Sequence, residues 1–183
     1  KMAAFAEASH VKTVQGKYSD TEAHEKDRWA KWGDARPQPK LSGKTKRLPK
    51  KGLLESSGWK LMSFSSESTT NDRKAAYAID GKPRTHWHTR WTSKHPHELV
   101  IDLGAQRTIR GLRYLARQDG SFNGGFKDFD LSIGDAPGQF GEPTLKGAFK
   151  KTKDPQEAAC KAARGRYIRI RVLSEVAGGP WAS

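Results

Sequence analysis

The 183-residue chain has very little cysteine and no long apolar run. Its single cysteine, Cys160, excludes an internal disulfide framework and a cysteine-based zinc ribbon. Its apolar runs fall far short of the roughly 20 residues that a membrane-spanning helix needs. No signal peptide is recognisable at Lys1, and we expect the chain to be a piece of a longer protein.

Acidic residues are also scarce, and they are distributed unevenly. The chain has 34 Lys and Arg against 20 Asp and Glu, a formal net charge of +14. Residues 35–54 contain no acidic residue, many basic ones, and prolines and glycines that interrupt helices and strands. This composition predicts a solvated basic linker over 35–54, and a dedicated polyanion site is the less favoured interpretation.

The segment before the linker has a helical pattern. Ser19-Asp-Thr-Glu22 forms a capping-box motif ahead of the run Ala23–Trp32, and Gly33 ends it. Neither this run nor the alanine-rich segment Met2–Ala8 has enough apolar residues to fold alone. Residues 1–34 are therefore predicted to be a partly helical arm that docks elsewhere through Trp29 and Trp32.

The segment after the linker, residues 55–183, has a β pattern. Short apolar runs alternate with Gly, Asn, Asp and Pro, and no helical run separates them. The pattern predicts an all-β antiparallel sandwich. The candidate strands are Trp59–Ser65, Glu98–Leu103, Thr108–Leu115, Phe126–Ile133, Leu145–Lys150 and Arg166–Leu173.

Enzyme and metal interpretations find little support. The nucleophile-elbow, phosphate-loop and zinc-protease motifs do not occur, and Gly120–Gly125 lacks the helix that would follow a nucleotide-binding loop. Asp128 and Asp130 could imitate a glycosidase pair, but an alternating strand would place both on its solvent face. The histidines at 86, 88, 95 and 97 leave zinc open as a minor alternative to hydrogen-bonded loop residues.

A sugar-binding interpretation uses the same segments better. Pyranose rings stack an apolar C–H face on aromatic rings, and their hydroxyls need polar partners. Three turn-rich segments contain aromatic residues that we expect to be exposed, namely Trp91, Phe122 and Trp181. If these segments meet at one end of the sandwich, they form an aromatic and polar cleft.

Four motifs occur in an order that resembles a known family. They are Ala78-Ile-Asp-Gly-Lys-Pro-Arg-Thr-His-Trp-His-Thr89, Tyr114-Leu-Ala-Arg-Gln-Asp-Gly-Ser-Phe-Asn-Gly124, Gly165-Arg-Tyr-Ile-Arg-Ile-Arg171 and Ser174-Glu-Val-Ala-Gly-Gly-Pro-Trp-Ala-Ser183. Together they resemble the discoidin (coagulation-factor type C) fold and, within it, carbohydrate-binding module family 32. The resemblance covers about residues 55–183 and implies an eight-stranded jelly-roll β-sandwich, galactose-binding-domain-like, whose last strand is truncated here.

The same resemblance implies a set of carbohydrate-binding residues. Galactose-binding members use a His of the Trp-His-Thr motif and an Arg of the Arg-Gln-Asp-Gly motif, which are His88 and Arg117 here. The polar residue six positions beyond that Arg is Asn123. The aromatic three positions beyond the His is Trp91, and Trp181 stands where many members place a flanking aromatic. Trp87 is expected to be a core residue.

Family members also carry a structural calcium ion in an Asp-Gly-x-x-x-Thr loop. The resemblance implies ligation by the side chains of Asp80 and Thr85 and by the carbonyls of Tyr77 and Lys82. The family completes the shell with a Glu just after the Trp-x-Ser motif, which this chain does not contain. We therefore expect calcium only where a completing strand is supplied; otherwise Asp80 would cap an Asx-type turn.

Residues 1–34 separately resemble the C-terminal tail of bacterial sulfatases. The matching residues are Ala-Phe-Ala-Glu-Ala-Ser-His near the start, His24-Glu-Lys-Asp-Arg28 and Ala30-Lys-Trp-Gly33. The sulfatase nucleophile motif Cys-x-Pro-x-Arg is missing, because Lys-Ala-Ala follows Cys160. Any sulfatase activity would belong to a catalytic domain outside this sequence.

These observations together predict a non-catalytic carbohydrate-binding module of a secreted or periplasmic glycan-active enzyme, with a sulfatase as the expected parent. Its expected partners are galactose-containing or sulfated glycans and the parent's catalytic domain. Nucleic acid is not an expected partner and a membrane span is not expected. Three alternatives stay open: a polyanion-binding module, a lipid- or protein-binding discoidin module, and a catalytic fragment.

Overall fold

The computed structural model describes residues 52–183. The predicted helical arm over 1–34 and most of the predicted linker over 35–54 lie outside the described residues. Both assignments therefore stay predictions.

One antiparallel sheet organises the described domain. Its five strands are β1 (Lys60–Phe64), β2 (His97–Tyr114), β3 (Asp128–Gly134), β4 (Leu145–Ala148) and β5 (Gln156–Val172). Their order across the sheet is β1-β2-β5-β3-β4, so the two longest strands are neighbours near its centre. A short 3₁₀ helix over Ala75–Ala78 is the one helical element within residues 52–183.

Cross-strand register places apolar side chains on the inner face. Leu99 of β2 pairs with Ile170 of β5, and Ile170 also pairs with Leu131 of β3. All three side chains are buried. Residues outside the strands, including Trp87 and Ala182, pack against this face and complete the core. The prediction of an all-β antiparallel fold is confirmed, and so is the core position of Trp87.

The opposite face of the sheet carries charged pairs. Arg171 of β5 lies opposite Asp130 of β3 and donates two hydrogen bonds to its carboxylate, at 3.0 and 2.6 Å. Asp130 is only 2% exposed, because the arginine side chain lies across it. The expectation that Asp130 faces solvent is therefore wrong, since a long cross-strand neighbour covers the short carboxylate.

The strand inventory differs from the sequence prediction in two ways. The candidates Glu98–Leu103 and Thr108–Leu115 are parts of the single strand β2, whose pairing with β5 shifts register between Asp102 and Arg107. Strand β5 begins at Gln156, in an alanine-containing stretch that was not predicted to be a strand. Residues 52–183 thus have five named strands, not the eight that the resemblance implies.

Candidate functional site

Three segments that are distant in sequence meet at one end of the sheet. Thr89 donates its backbone N–H to the carbonyl of Ala182 at 2.9 Å, and Ala182 donates its own to the hydroxyl of Thr89 at 3.1 Å. Ser183 donates its N–H to the carbonyl of Gly124 at 2.6 Å. The segments around residues 85–97, 115–125 and 174–183 therefore form one loop cluster.

An aromatic group lies inside this loop cluster. The His88 and Trp91 ring centroids are 4.4 Å apart, and those of Trp91 and Trp181 are 5.1 Å apart in an edge-to-face arrangement. The Trp181 indole N–H donates to the carbonyl of Trp91 at 2.9 Å, which fixes the two residues relative to each other. The structure thus brings together three of the five predicted carbohydrate-binding residues by direct ring contact.

Exposure within this group differs from the sequence expectation. Trp181 is partly exposed, but Trp91 is 2% exposed and His88 is fully buried. The prediction that Trp91 is an exposed aromatic is wrong. Trp181, near the end of the sequence, packs against its ring, and the Arg73 guanidinium lies 5.6 Å from the Trp91 ring centroid.

The contacts of His88 define its tautomer. Its Nδ1 lies 2.6 Å from the carbonyl of Thr89, so Nδ1 carries the proton and Nε2 is an acceptor. Within residues 52–183, Nε2 is buried and has no hydrogen-bond partner. Burial lowers the pKa of His88 well below its usual value, and the positive charges of Arg73 and Arg117 lower it further. The imidazole is therefore neutral.

Arg117 forms a buried ion pair close to the aromatic group. Its Nε and Nη2 donate to the two carboxylate oxygens of Asp119 at 2.8 and 2.5 Å, and the two side chains are 0% and 1% exposed. Its Nη1 donates to the backbone carbonyl of Asn123 at 3.1 Å. Arg117 thus organises the 115–125 loop from within. The Asn123 side chain is carried by that loop at a partly exposed position.

Two further residues that sequence reasoning missed hold this end together. Glu175 is 3% exposed and accepts hydrogen bonds from the backbone N–H groups of Gly124, Ala177 and Gly179. Lys153 reaches the 115–125 loop from the turn before β5. The carboxylate of Asp119, two positions after Arg117, was a local signal for an ion pair. Glu175 and Lys153 stand far from their partners in sequence and gave no such signal.

The predicted calcium loop is a closed, hydrogen-bonded turn. Asp80 accepts the Lys82 N–H at 2.8 Å and the Thr85 hydroxyl at 2.5 Å, and this hydroxyl is also 3.1 Å from the Lys82 carbonyl. Gly81, at φ 68°, allows the turn. Oxygen atoms of the type that calcium prefers converge here from Asp80, Thr85 and Lys82, so these three residues fit the ion. They also satisfy one another without it, as in an Asx-type turn.

A zinc site and a membrane-spanning helix receive no support from the described part of the chain. Residues 52–183 contain no group of three or more His, Cys, Asp and Glu side chains arranged to hold a metal ion. His97 instead hydrogen-bonds the carbonyl of Pro180 at 2.6 Å, which is the structural role expected from the sequence. Over the same residues, no helix has the length and apolarity needed to cross a membrane.

Comparison with known proteins identifies the family. The sequence profile of the F5/8 type C domain matches residues 62–183, two thirds of the chain. The chain belongs to the F5/8 type C domain family. The predicted discoidin relationship is therefore confirmed, and membership of this family of binding modules agrees with the prediction that the domain is not itself an enzyme.

Two curated proteins contain a region similar to this F5/8 type C domain. A sialidase of Micromonospora viridifaciens is 35% identical over 137 residues, which are 72% of this chain and 21% of the sialidase. A galactose oxidase of Gibberella zeae is 28% identical over 121 residues, 64% of this chain and 18% of the oxidase. The chain thus spans only about a fifth of the length of these relatives.

Solved structures share the fold of the F5/8 type C domain. A family 32 module of Clostridium perfringens, CpGH89CBM32-5, in complex with GalNAc-β-1,3-galactose superposes with a TM-score of 0.63 at 23% identity, over 69% of this chain and 91% of that one. The family 32 module of C. perfringens NanJ in complex with galactose gives 0.58 at 21% identity, over 69% and 89%. The C-terminal domain of a Bacteroides fragilis chitobiase gives 0.62 at 26%, over 70% and 90%.

Proposed function

We propose that this domain is a carbohydrate-binding module that recognises a galactose-type sugar at its loop cluster. The observation that carries the proposal is the His88 Nε2 atom, a neutral acceptor without a hydrogen-bond partner in the described residues, set against the rings of Trp91 and Trp181. A sugar hydroxyl is the kind of donor that this atom lacks, and an indole is the kind of surface on which a pyranose stacks.

The burial of His88 and Arg117 defines how a sugar would reach them. Trp181 and Asn123 are the partly exposed members of the set and would contact the ligand first. Because Nε2 is closed from solvent, the loop cluster must open for a hydroxyl to reach it. Arg117 already binds Asp119 and the carbonyl of Asn123, so its main role would be to hold the loop in place.

The ligands bound by fold relatives support this ligand class. One family 32 structure contains galactose and another contains GalNAc-β-1,3-galactose. A third, the family 32 module of AlyQ, contains 4,5-unsaturated mannuronic acid and superposes with a TM-score of 0.52 at 21% identity. Acidic sugars therefore also occur among the ligands of this fold.

The proposal extends to an acidic or sulfated galactan and to a secreted glycan-active parent, with a sulfatase as the specific candidate. The chain's net charge of +14 would raise the local concentration of an anionic polymer around it. A module of this kind would increase the concentration of its catalytic domain on a polysaccharide.

A structural calcium ion is a further part of the proposal. Asp80 and Thr85 would hold it with the carbonyls of Tyr77 and Lys82, where it would stiffen the loop. Binding must replace the hydrogen bonds of Asp80, so we expect it to be weak in this chain. Millimolar calcium should leave the melting temperature of this chain unchanged and should raise it once the completing strand with its Glu is supplied, but not when that longer chain carries Asp80→Asn. Absence of a shift in both the short and the longer chain would indicate an Asx-type turn alone.

A glycan array followed by calorimetry tests the sugar site on the full 183-residue chain. We expect galactosides to bind with a dissociation constant of about 0.1–1 mM, as is common for small polar sites. Trp181→Ala should weaken binding by at least about tenfold. Phe64→Ala is the matched control, because Phe64 is an exposed aromatic on β1. Equal losses in both variants, or no galactoside binding by the wild type, would refute the proposal.

Salt dependence separates this function from polyanion binding, which the same charge of +14 favours as second candidate. Neutral galactoside binding should change little between about 50 and about 500 mM salt, whereas binding to a polyanion should fall steeply. Sulfated galactosides should bind more tightly than neutral ones at low salt only. Equal binding of both at low salt would contradict the preference for acidic glycans.

A further inference from the structure

Lys153, in the turn that precedes β5, connects two points of the 115–125 loop. Its ammonium donates a hydrogen bond to the carbonyl of Arg117 at 2.6 Å and a second, short one to the carbonyl of Ser121. The same Nζ atom lies 4.0 Å from the centroid of the Phe122 ring, within range for a cation–π contact. The three ammonium protons therefore face two carbonyls and one aromatic ring, all from the same loop.

The loop returns a contact to the backbone of Lys153. The side-chain amide of Gln118 donates to the carbonyl of Lys153 at 2.8 Å and to the carbonyl of Ala116 at 3.0 Å. The end of the loop is held separately, by the bonds of Gly124 and Gly125 to residues 175–183, and the Asn123 N–H bonds locally to the Ser121 hydroxyl at 3.0 Å. Lys153 and Gln118 thus join the loop to a different part of the chain.

We propose that Lys153 is a positioning residue for glycan binding, whose ammonium fixes the loop that presents Phe122 and Asn123 at the loop cluster. This inference rests on the proposed sugar site. Preorganising a binding loop improves affinity, because less conformational entropy is lost when the ligand binds. Lys153 has no third donor left for a sugar, so it acts through the loop and not by contact.

Charge strengthens these bonds, because hydrogen bonds from an ammonium group are stronger than neutral ones. Burial lowers the pKa of Lys153 to about 8, while Asp119 raises it and Arg117 lowers it further. The group is still mostly protonated at pH 7. A second ammonium group faces the same ring: the Nζ atom of Lys151 lies 5.6 Å from the Phe122 ring centroid, and this side chain is exposed.

Three variants of the full chain test the positioning role at pH 7. Lys153→Met keeps most of the side-chain stem and removes the donors, and Lys153→Arg restores a charged donor. Lys151→Met is the matched control, because it removes an ammonium group from the same ring. The first readout is amide hydrogen exchange over residues 118–125 without any ligand. The second is affinity for methyl β-galactoside, with exchange at Ile101 and Ile168 reporting on the fold.

We expect Lys153→Met to speed exchange in the loop by at least about tenfold, since it loses two charge-assisted bonds, and to weaken galactoside binding by about five- to tenfold. Lys153→Arg should recover most of both effects, and Lys151→Met should change each by less than about twofold. Exchange at Ile101 and Ile168 should stay slow in all three.

The inference is overturned if Lys153→Met leaves loop exchange within twofold of the wild type, or if Lys151→Met loosens the loop equally. It is also overturned if Lys153→Met loosens the loop while galactoside affinity stays the same. If the wild type binds no galactoside at all, the proposed function fails, and loop exchange by itself still decides whether Lys153 fixes the loop.

Discussion

Two bidentate arginine–aspartate pairs show how differently the sheet and the loop cluster use the same chemistry. On the outer face of the sheet, Arg166 binds Asp102 at 2.8 Å through both nitrogens, and its side chain is 43% exposed. In the loop cluster, Arg117 binds Asp119 with similar distances, and neither side chain reaches solvent by more than 1%. Water therefore reaches the arginine of the first pair, although Asp102 is only 6% exposed, and it reaches neither group of the second.

The difference follows from how the sheet and the loop cluster are each stabilised. The sheet is held by apolar packing on its inner face, and its charged pairs lie on the opposite face from that core. The loop cluster has few regular backbone pairs, and polar side chains such as Arg117 and Glu175 satisfy its backbone instead. Loss of one polar group should therefore cost much more in the loop cluster than in the sheet.

The largest expected effect is that of Arg117→Met. The substitution leaves the Asp119 carboxylate buried without its cation, a change that typically costs about 3–5 kcal/mol. Urea unfolding at pH 7.5 measures it. Arg117→Met combined with Asp119→Leu should recover part of the loss, because no unpaired charge remains. A loss below about 1 kcal/mol in the single variant would show that the two regions do not differ.

A smaller effect is expected from acid. His88 is neutral when folded, because its folded pKa is lowered, whereas its unfolded pKa is near 6.5. As the pH falls below 6.5, the unfolded chain takes up a proton that the folded chain does not, so stability decreases. Between pH 7.5 and 5.5 this costs at most about 1.4 kcal/mol.

Urea unfolding of the wild type and of His88→Gln at the two pH values isolates the contribution of His88 to this loss of stability. The variant should lose less stability than the wild type on acidification, while His97, whose pKa is also lowered by burial, contributes equally to both. The same pH dependence in wild type and variant would contradict a neutral, buried His88.

Arg166→Gln should have a smaller effect still. Arg166 is 43% exposed although Asp102 is only 6% exposed, and the Gly104 N–H continues to donate to the carboxylate. We expect a loss of about 1 kcal/mol or less, which shrinks further at high salt. A loss equal to that of Arg117→Met would remove the contrast between the sheet and the loop cluster.

The smallest effect concerns Lys153 at alkaline pH. Its folded pKa is lowered to about 8 from an ordinary 10.5, so the folded chain releases its proton first and stability rises between these values. Because the group is partly exposed, we expect a gain of only about 0.5 kcal/mol. The measurement is the free energy of unfolding of the wild type and of Lys153→Met at pH 7.5 and 9.5. Subtracting the change in the variant removes the contributions of other groups. A loss of stability in the wild type relative to the variant as the pH rises would contradict this prediction.

Local pattern predicted much of the sheet. Ile168 and Ile170 alternate with Arg169 and Arg171, which indicated one buried and one polar face, and the structure has that arrangement. The stretch from Gln156 was not predictable in this way, because its alanines carry no strand signal. Pairing with β2 decides its conformation, and at Gly111 a Cβ atom would stand 2.4 Å from the Ala158 carbonyl oxygen.

By itself, the sequence determined the family, the all-β architecture and which residue types could meet a sugar, because alternation, turn residues and ordered motifs are local properties of a chain. Tertiary structure decided which of those residues are exposed and which polar partners they have. Trp181 packs on Trp91, 90 positions earlier, and buries it, and Lys153 holds a loop through the carbonyl of Arg117, 36 positions earlier. Burial and polar partnership depend on which distant segments meet, and no local pattern encodes that.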